Sequence, residues 1–124
     1  MSLDVAILEP ASRQLRLVLK GQLDSATAAT LEASLDGALR PDLQSLAFDL
    51  SALSFISSAG LRVFAKARRQ MQAQGGRFFC VNPSPQVRKV FEIVKATPLN
   101  EIFASVQELD DYLLAMQQRL SDPP

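Results

Sequence analysis

The stretch "LQSLAFDL", Leu43 to Leu50, constrains this chain more than any other. A short, nearly continuous apolar run reads as a strand with both faces covered by other layers. Such a strand needs neighbours in a sheet and helices against it, and the flanking sequence offers both. "LDVAIL" (Leu3 to Leu8) and "QLRLVLKG" (Gln14 to Gly21) read as strands, the second with Leu15, Leu17 and Leu19 on one face. The intervening "EPASR" suits a hairpin. Asp24 or Ser25 then caps a helix to about Leu39, with Ala28, Leu31, Leu35 and Ala38 at helical spacing and Pro41 closing the segment.

After Phe55 and Ile56, the spacing predicts a helix from about Ser58 to Gln74. At about 100° per residue, Gly60, Val63, Phe64, Ala67 and Met71 share one face. Arg62, Lys66 and Arg69 fall on the opposite face, and Leu61 lies at the border. Gly75 and Gly76 end this helix. "RFFCVN" reads as another buried strand, and "SPQVRKVFEIV" as a short helix with Val87, Val90, Phe91 and Val94 inward. "EIFAS" is a candidate last strand fragment. A closing helix, Val106 to Leu120, carries an apolar stripe at Val106, Leu109, Leu113, Met116 and Leu120, read as core, before a frayed tail at 121–124. A hairpin followed by strand and helix alternation predicts an α/β fold: one domain over 1–124, with a mixed sheet of four to five strands flanked by about four helices. The length of 124 residues suits one such core.

Composition closes most catalytic routes. There is no histidine, so no Ser-His-Asp or Cys-His constellation can form, and Ser58 lacks the G-x-S-x-G elbow of a strained nucleophile. No glycine-based phosphate cradle of the G-x-x-x-x-G-K-[ST] or G-x-G-x-x-G type is present. Cys80 is the only cysteine, which excludes an internal disulfide and a multi-cysteine metal site. Inside an apolar strand it reads as a small buried hydrophobe. Asp24 and Asp49 read as a cap and a strand-end residue, since nothing brings them together as a carboxylate pair. The expectation is a non-enzyme with no catalytic residues, metal or cofactor.

Net charge is zero, but its distribution is uneven. From Leu50 to Phe91 there are seven basic residues and no acidic one, while the remainder holds six basic against thirteen acidic. The middle is therefore +7 and the flanks −7. A nucleic-acid domain would use the basic helix, but the acidic flanks and lack of interleaved exposed aromatics argue against it. The N-terminal "MSLDVAILEP" lacks a signal peptide's apolar stretch, and no segment is apolar long enough to cross a bilayer. A soluble cytoplasmic protein is expected.

Three blocks, in order and correctly spaced, carry a resemblance: "LVLKGQLDSATAATL" (Leu17 to Leu31), "FDLSALSFISSAGLRVF" (Phe48 to Phe64) and "GGRFFCVNPSPQVRKVFEI" (Gly75 to Ile93). Together they resemble the STAS family, in particular the bacterial anti-sigma factor antagonists of the SpoIIAA-like type. The resemblance implies partner switching. The unphosphorylated antagonist binds an anti-sigma factor that is also a serine kinase of GHKL type, which frees a sigma factor. The kinase then phosphorylates one serine of the antagonist, the complex separates, and a metal-dependent serine phosphatase resets it.

The family pattern of aspartate, phosphorylated serine, Ser or Ala, then Gly-Leu falls on Ser57, Ser58, Ala59, Gly60 and Leu61. Ser58 is therefore the implied phosphoacceptor, with Ser57 as second choice because it stands where the family often has aspartate. "GQLDSAT" matches the family's G-x-L-D loop, so Asp24 and Ser25 join the implied partner surface with Ser57, Ser58, Leu61, Arg62, Lys66 and Arg69. The 94–100 segment departs from the family's glycine-containing turn and is assigned no role. A monomer or weak dimer, without nucleic-acid binding or membrane insertion, completes the expectation. The alternative is an unphosphorylated STAS subunit of a membrane transport complex.

Local chemistry leaves two readings of these serines. A serine before a helix is commonly only an N-cap. The same place suits a switch, because unpaired N–H groups and the positive end of the helix dipole tolerate a phosphate. Such a modification would act on a partner by placing charge within a contact surface, rather than by unfolding the domain. The basic stripe likewise reads as either a solvated helix face or a docking patch.

Overall fold

A computed structural model describes residues 2–96 and 105–121. Strand β1 (Leu3–Ala11) pairs antiparallel with β2 (Gln14–Leu23), and the tight turn between them holds Arg13 at φ 63°. Helix α1 (Ser25–Ala38) carries the chain to β3 (Ser45–Ile56), which runs parallel to β2. Helix α2 (Ser58–Ala73) then leads to β4 (Arg77–Val81), parallel to β3. Helices α3 (Pro85–Ala96) and α4 (Val106–Ser121) follow. The result is an α/β fold with a mixed four-stranded sheet in the order β1-β2-β3-β4 and four helices among the described residues.

The core forms on one face of the sheet. Leu15, Leu17 and Leu19 of β2 and Leu46, Phe48 and Leu50 of β3 share that face by the period of two and are buried. Against them pack Ala28, Leu31 and Leu35 of α1, Val63, Phe64, Ala67 and Met71 of α2, Val87 and Val90 of α3, and Leu113 of α4. Phe48 stacks on Phe64, with ring centroids 4.7 Å apart, joining strand to helix at the centre.

Several expectations change. Strand β3 continues six residues past Leu50, and two register shifts against β2 break the alternation there, so Leu50, Leu53 and Ile56 are all buried at a spacing of three. Its second face is only half covered: Ala47 and Asp49 are half-buried, so the apolar run reflects one deep face and one small residue on the other. Strand β4 forms the end of the described sheet rather than its interior, leaving Phe79 45% exposed. Val94 is 41% exposed, beyond the inward face that Val87 and Val90 occupy. Of the expected "EIFAS" strand, residues 101–104 lie outside the described residues, as do 122–124 of the tail and the side chains of Val106 and Leu120.

Two glycines fix the geometry at the C-terminal ends of the parallel strands. Gly21 takes φ +113°, and a Cβ there would meet the Ser2 carbonyl oxygen. At Gly60 a Cβ would stand 2.7 Å from both Cγ and Cδ2 of buried Leu23. Only a residue without a side chain lets the first turn of α2 lie this close to the end of β2. The serines and the Leu23 to Ser25 bend are thereby held side by side.

Candidate functional site

Because β2 and β3 are parallel neighbours and each feeds a helix, the N-termini of α1 and α2 start from the same edge of the sheet. The Ser57 N–H donates to the Leu23 carbonyl oxygen at 2.8 Å, joining the two starts directly. At α1, Asp24 is the N-cap: its carboxylate accepts from the N–H groups of Ala26 at 3.0 Å and Thr27 at 2.9 Å. The Thr27 hydroxyl oxygen in turn accepts from the Asp24 N–H at 2.9 Å, completing a capping box. The Thr27 backbone bond is the main cause holding the Asp24 carboxyl below its usual value. Ser25 follows, exposed.

At α2 the neutral Ser57 is the N-cap, with its Oγ accepting from the Gly60 N–H at 3.3 Å. Ser58 is the first helical residue and is 5% exposed. Its hydroxyl donates to Asp110 Oδ1 at 2.7 Å, and its backbone N–H donates to the same oxygen at 3.0 Å. Asp110 belongs to α4, 52 residues on. Two turns further, buried Gln117 clamps the residue before the serines: its Oε1 accepts from the Ile56 N–H at 2.8 Å, and its Nε2 donates to the Ile56 carbonyl at 3.0 Å. One side of α4 thus grips residues 56–58 with two polar side chains around the buried Leu113.

Sequence reading missed both α4 residues. A faint signal existed, since positions 110, 113 and 117 share a helix face, so two polar groups flank the apolar stripe. A buried glutamine needs partners, and here the partners are backbone groups of another element.

The remaining expected surface residues lie along α2. Leu61 is half-buried and packs against the core, so it offers only an edge. Arg62, Lys66 and Arg69 are exposed. They line an open groove of about 590 Å³ between α1 and α2, floored by Ala28, Ala59 and Val63. Lys66 ion-pairs with Glu32 of α1 at 2.5 Å, which raises its pKa through that hydrogen bond, whereas Arg62 and Arg69 make no ion pair among the described residues. Away from the site, burial pushes the Cys80 thiol up to about 11, which disfavours a reactive thiolate. Asp49 turns to Ser51, accepting from its N–H at 3.0 Å and its hydroxyl at 2.8 Å. Among the described residues no cluster of three or more His, Cys, Asp or Glu could hold a metal, and no helix is long and apolar enough to cross a membrane.

Residues 7–109 match the STAS domain model. The chain belongs to the STAS family. Among STAS relatives, it is 31% identical over 87 residues to the anti-sigma F factor antagonist of Lysinibacillus sphaericus, covering 68% of this chain and 74% of that protein. It is 39% identical over 75 residues to BtrV of Bordetella bronchiseptica, a candidate anti-sigma factor antagonist, covering 60% of this chain and 65% of BtrV, just under two thirds. The solved structure of the anti-sigma factor antagonist SpoIIAA in its unphosphorylated form is 26% identical, with a TM-score of 0.67 over 77% of this chain and 84% of that one. The phosphorylated form of Bacillus SpoIIAA also shares this STAS architecture, at 26% identity and a TM-score of 0.62 over 72% of this chain and 81% of that one.

Proposed function

We propose that this chain is an anti-sigma factor antagonist that switches partners at the paired N-termini of α1 and α2. Unphosphorylated, it binds an anti-sigma factor that is also a GHKL-type serine kinase, and a sigma factor is freed. Phosphorylation of Ser58 ends binding, and a metal-dependent serine phosphatase restores it. The chain acts as one non-catalytic, cytoplasmic domain, monomeric or weakly dimeric.

The observation that carries this reading is the double donation from Ser58 to one carboxylate oxygen. The start of α2 already accommodates an anion, so a phosphate there is compatible with the fold. The comparison with SpoIIAA, solved with and without phosphate, supports the same chemistry. Ser58 is favoured over Ser57 because it falls on the family's phosphoacceptor position, whereas Ser57 is the N-cap that accepts from the Gly60 N–H. Asp24, Ser25, Ser57 and the α2 stripe of Leu61, Arg62, Lys66 and Arg69 complete the partner surface, with Arg62 and Arg69, which make no ion pair among the described residues, facing acidic groups of the partner. Incubation with the cognate kinase and ATP, followed by mass-spectrometric mapping, tests the reading. Phosphate on Ser58 and none on the Ser58→Ala protein is expected; stable phosphate elsewhere, or undiminished kinase binding by Ser58→Asp, overturns it.

A further inference from the structure

The carboxylate at the start of α2 comes from α4, one residue beyond the segment that matches the STAS model. We propose that Asp110 is a positioning residue for Ser58, a latch that holds α4 over the serine until phosphorylation expels it. The proposal rests on Ser58 as the phosphoacceptor and adds how that site is regulated.

In the closed arrangement the Ser58 hydroxyl proton is directed at Asp110 Oδ1 and the side chain is almost wholly buried. A kinase therefore has to part this pair before the hydroxyl can meet ATP. When the γ-phosphoryl group joins Ser58 Oγ, the bond to ADP breaks, ADP leaves, and the hydroxyl proton is lost. Oγ is then an ester oxygen with no proton to donate. The hydrogen bond becomes a contact between a carboxylate and a phosphate of about −1.5 to −2 charge. Both anions also compete for the single Ser58 N–H. The phosphate is covalently fixed at that place, while Asp110 is held there by α4 alone.

The other attachments of α4 set how far the release extends. Leu113 is fully buried, and Gln117 holds both backbone groups of Ile56, two residues before the phosphate. Expulsion of Asp110 frees the N-terminal turns of α4, and the Leu113 to Gln117 portion stays anchored. Phosphorylation is thereby converted into a local opening on the same edge of the molecule that the partner would read.

The test needs no kinase. Phosphoserine is installed at position 58 during translation, in the otherwise native chain and in Asp110→Asn, and amide hydrogen exchange is compared with the two unmodified proteins. Asparagine keeps an oxygen for the serine donors, removes the charge, and offers an amide N–H to the phosphate. With Asp110 present, phosphoserine is expected to speed exchange of the amides of 109–113 by about tenfold or more, while 116–120 change little. In Asp110→Asn the same modification is expected to leave 109–113 protected. Unchanged exchange on modification, or equal acceleration in both backgrounds, overturns the latch. If the phosphoserine chain folds only with asparagine at 110, the latch is supported; if neither folds, it is overturned. Because the phosphate is supplied chemically, failure of the latch and failure of Ser58 as a kinase substrate are read separately.

Discussion

The two adjacent helix starts solve the same electrostatic problem by different routes. At α1 the negative charge comes from the cap itself: Asp24 binds N–H groups two and three residues ahead. At α2 the cap is the neutral Ser57, and the charge arrives from Asp110, 52 residues away in sequence. A local cap cannot leave without breaking its helix. A carboxylate brought by another helix can be withdrawn, and only the tertiary contact is lost. Permanence and reversibility are thus separated between two sites joined by one hydrogen bond, from the Ser57 N–H to the Leu23 carbonyl.

The largest effect should come from removing the support that α4 gives to the second start. Gln117→Leu leaves the buried N–H and carbonyl of Ile56 without their side-chain partner, at about 1–3 kcal/mol for each buried group. Urea unfolding should show a loss of roughly 3 kcal/mol. Gly60→Ala tests the close approach of the two starts. Its methyl would press on Leu23, and a destabilisation of about 1–3 kcal/mol is expected from the same measurement.

Asp24→Ala breaks the self-supplied cap and should cost about 1 kcal/mol. It also carries a pH signature. The Asp24 carboxyl, held below its usual 3.8, gives up its proton more readily in the folded chain than in the unfolded one. Its stabilising contribution is therefore present above pH 3.8 and lost as pH falls through the lower folded value, so the acid limb of a stability profile should flatten in Asp24→Ala. The smallest effect belongs to Lys66→Ala. The Glu32 pair it breaks is exposed, so no resolvable shift in thermal midpoint is expected, and a clear drop would show that the pair ties α1 to α2.

What was legible in the sequence follows the range of the interaction. The leucines at 15, 17 and 19 announce their buried face through a period of two, and the inward face of α2 through helical spacing, because each pattern is internal to one element. Ser57 as a cap is legible for the same reason. The extension of β3 to Ile56 was hidden because register shifts against β2 replace alternation with a three-residue spacing. Phe79 reads as core by composition, but its exposure depends on where β4 falls in the strand order. Asp110 on Ser58 is a meeting of two distant elements, and no local pattern in either segment specifies it.

Asp110 has a further consequence for how such a chain can diversify. It is half-buried, it sits outside the segment shared with the family model, and among the described residues its side-chain hydrogen bonds both go to Ser58. One codon change to asparagine would alter the timing of the response and leave the recognition residues untouched. Lineages could then retune how readily the signal is set without renegotiating which partner is bound.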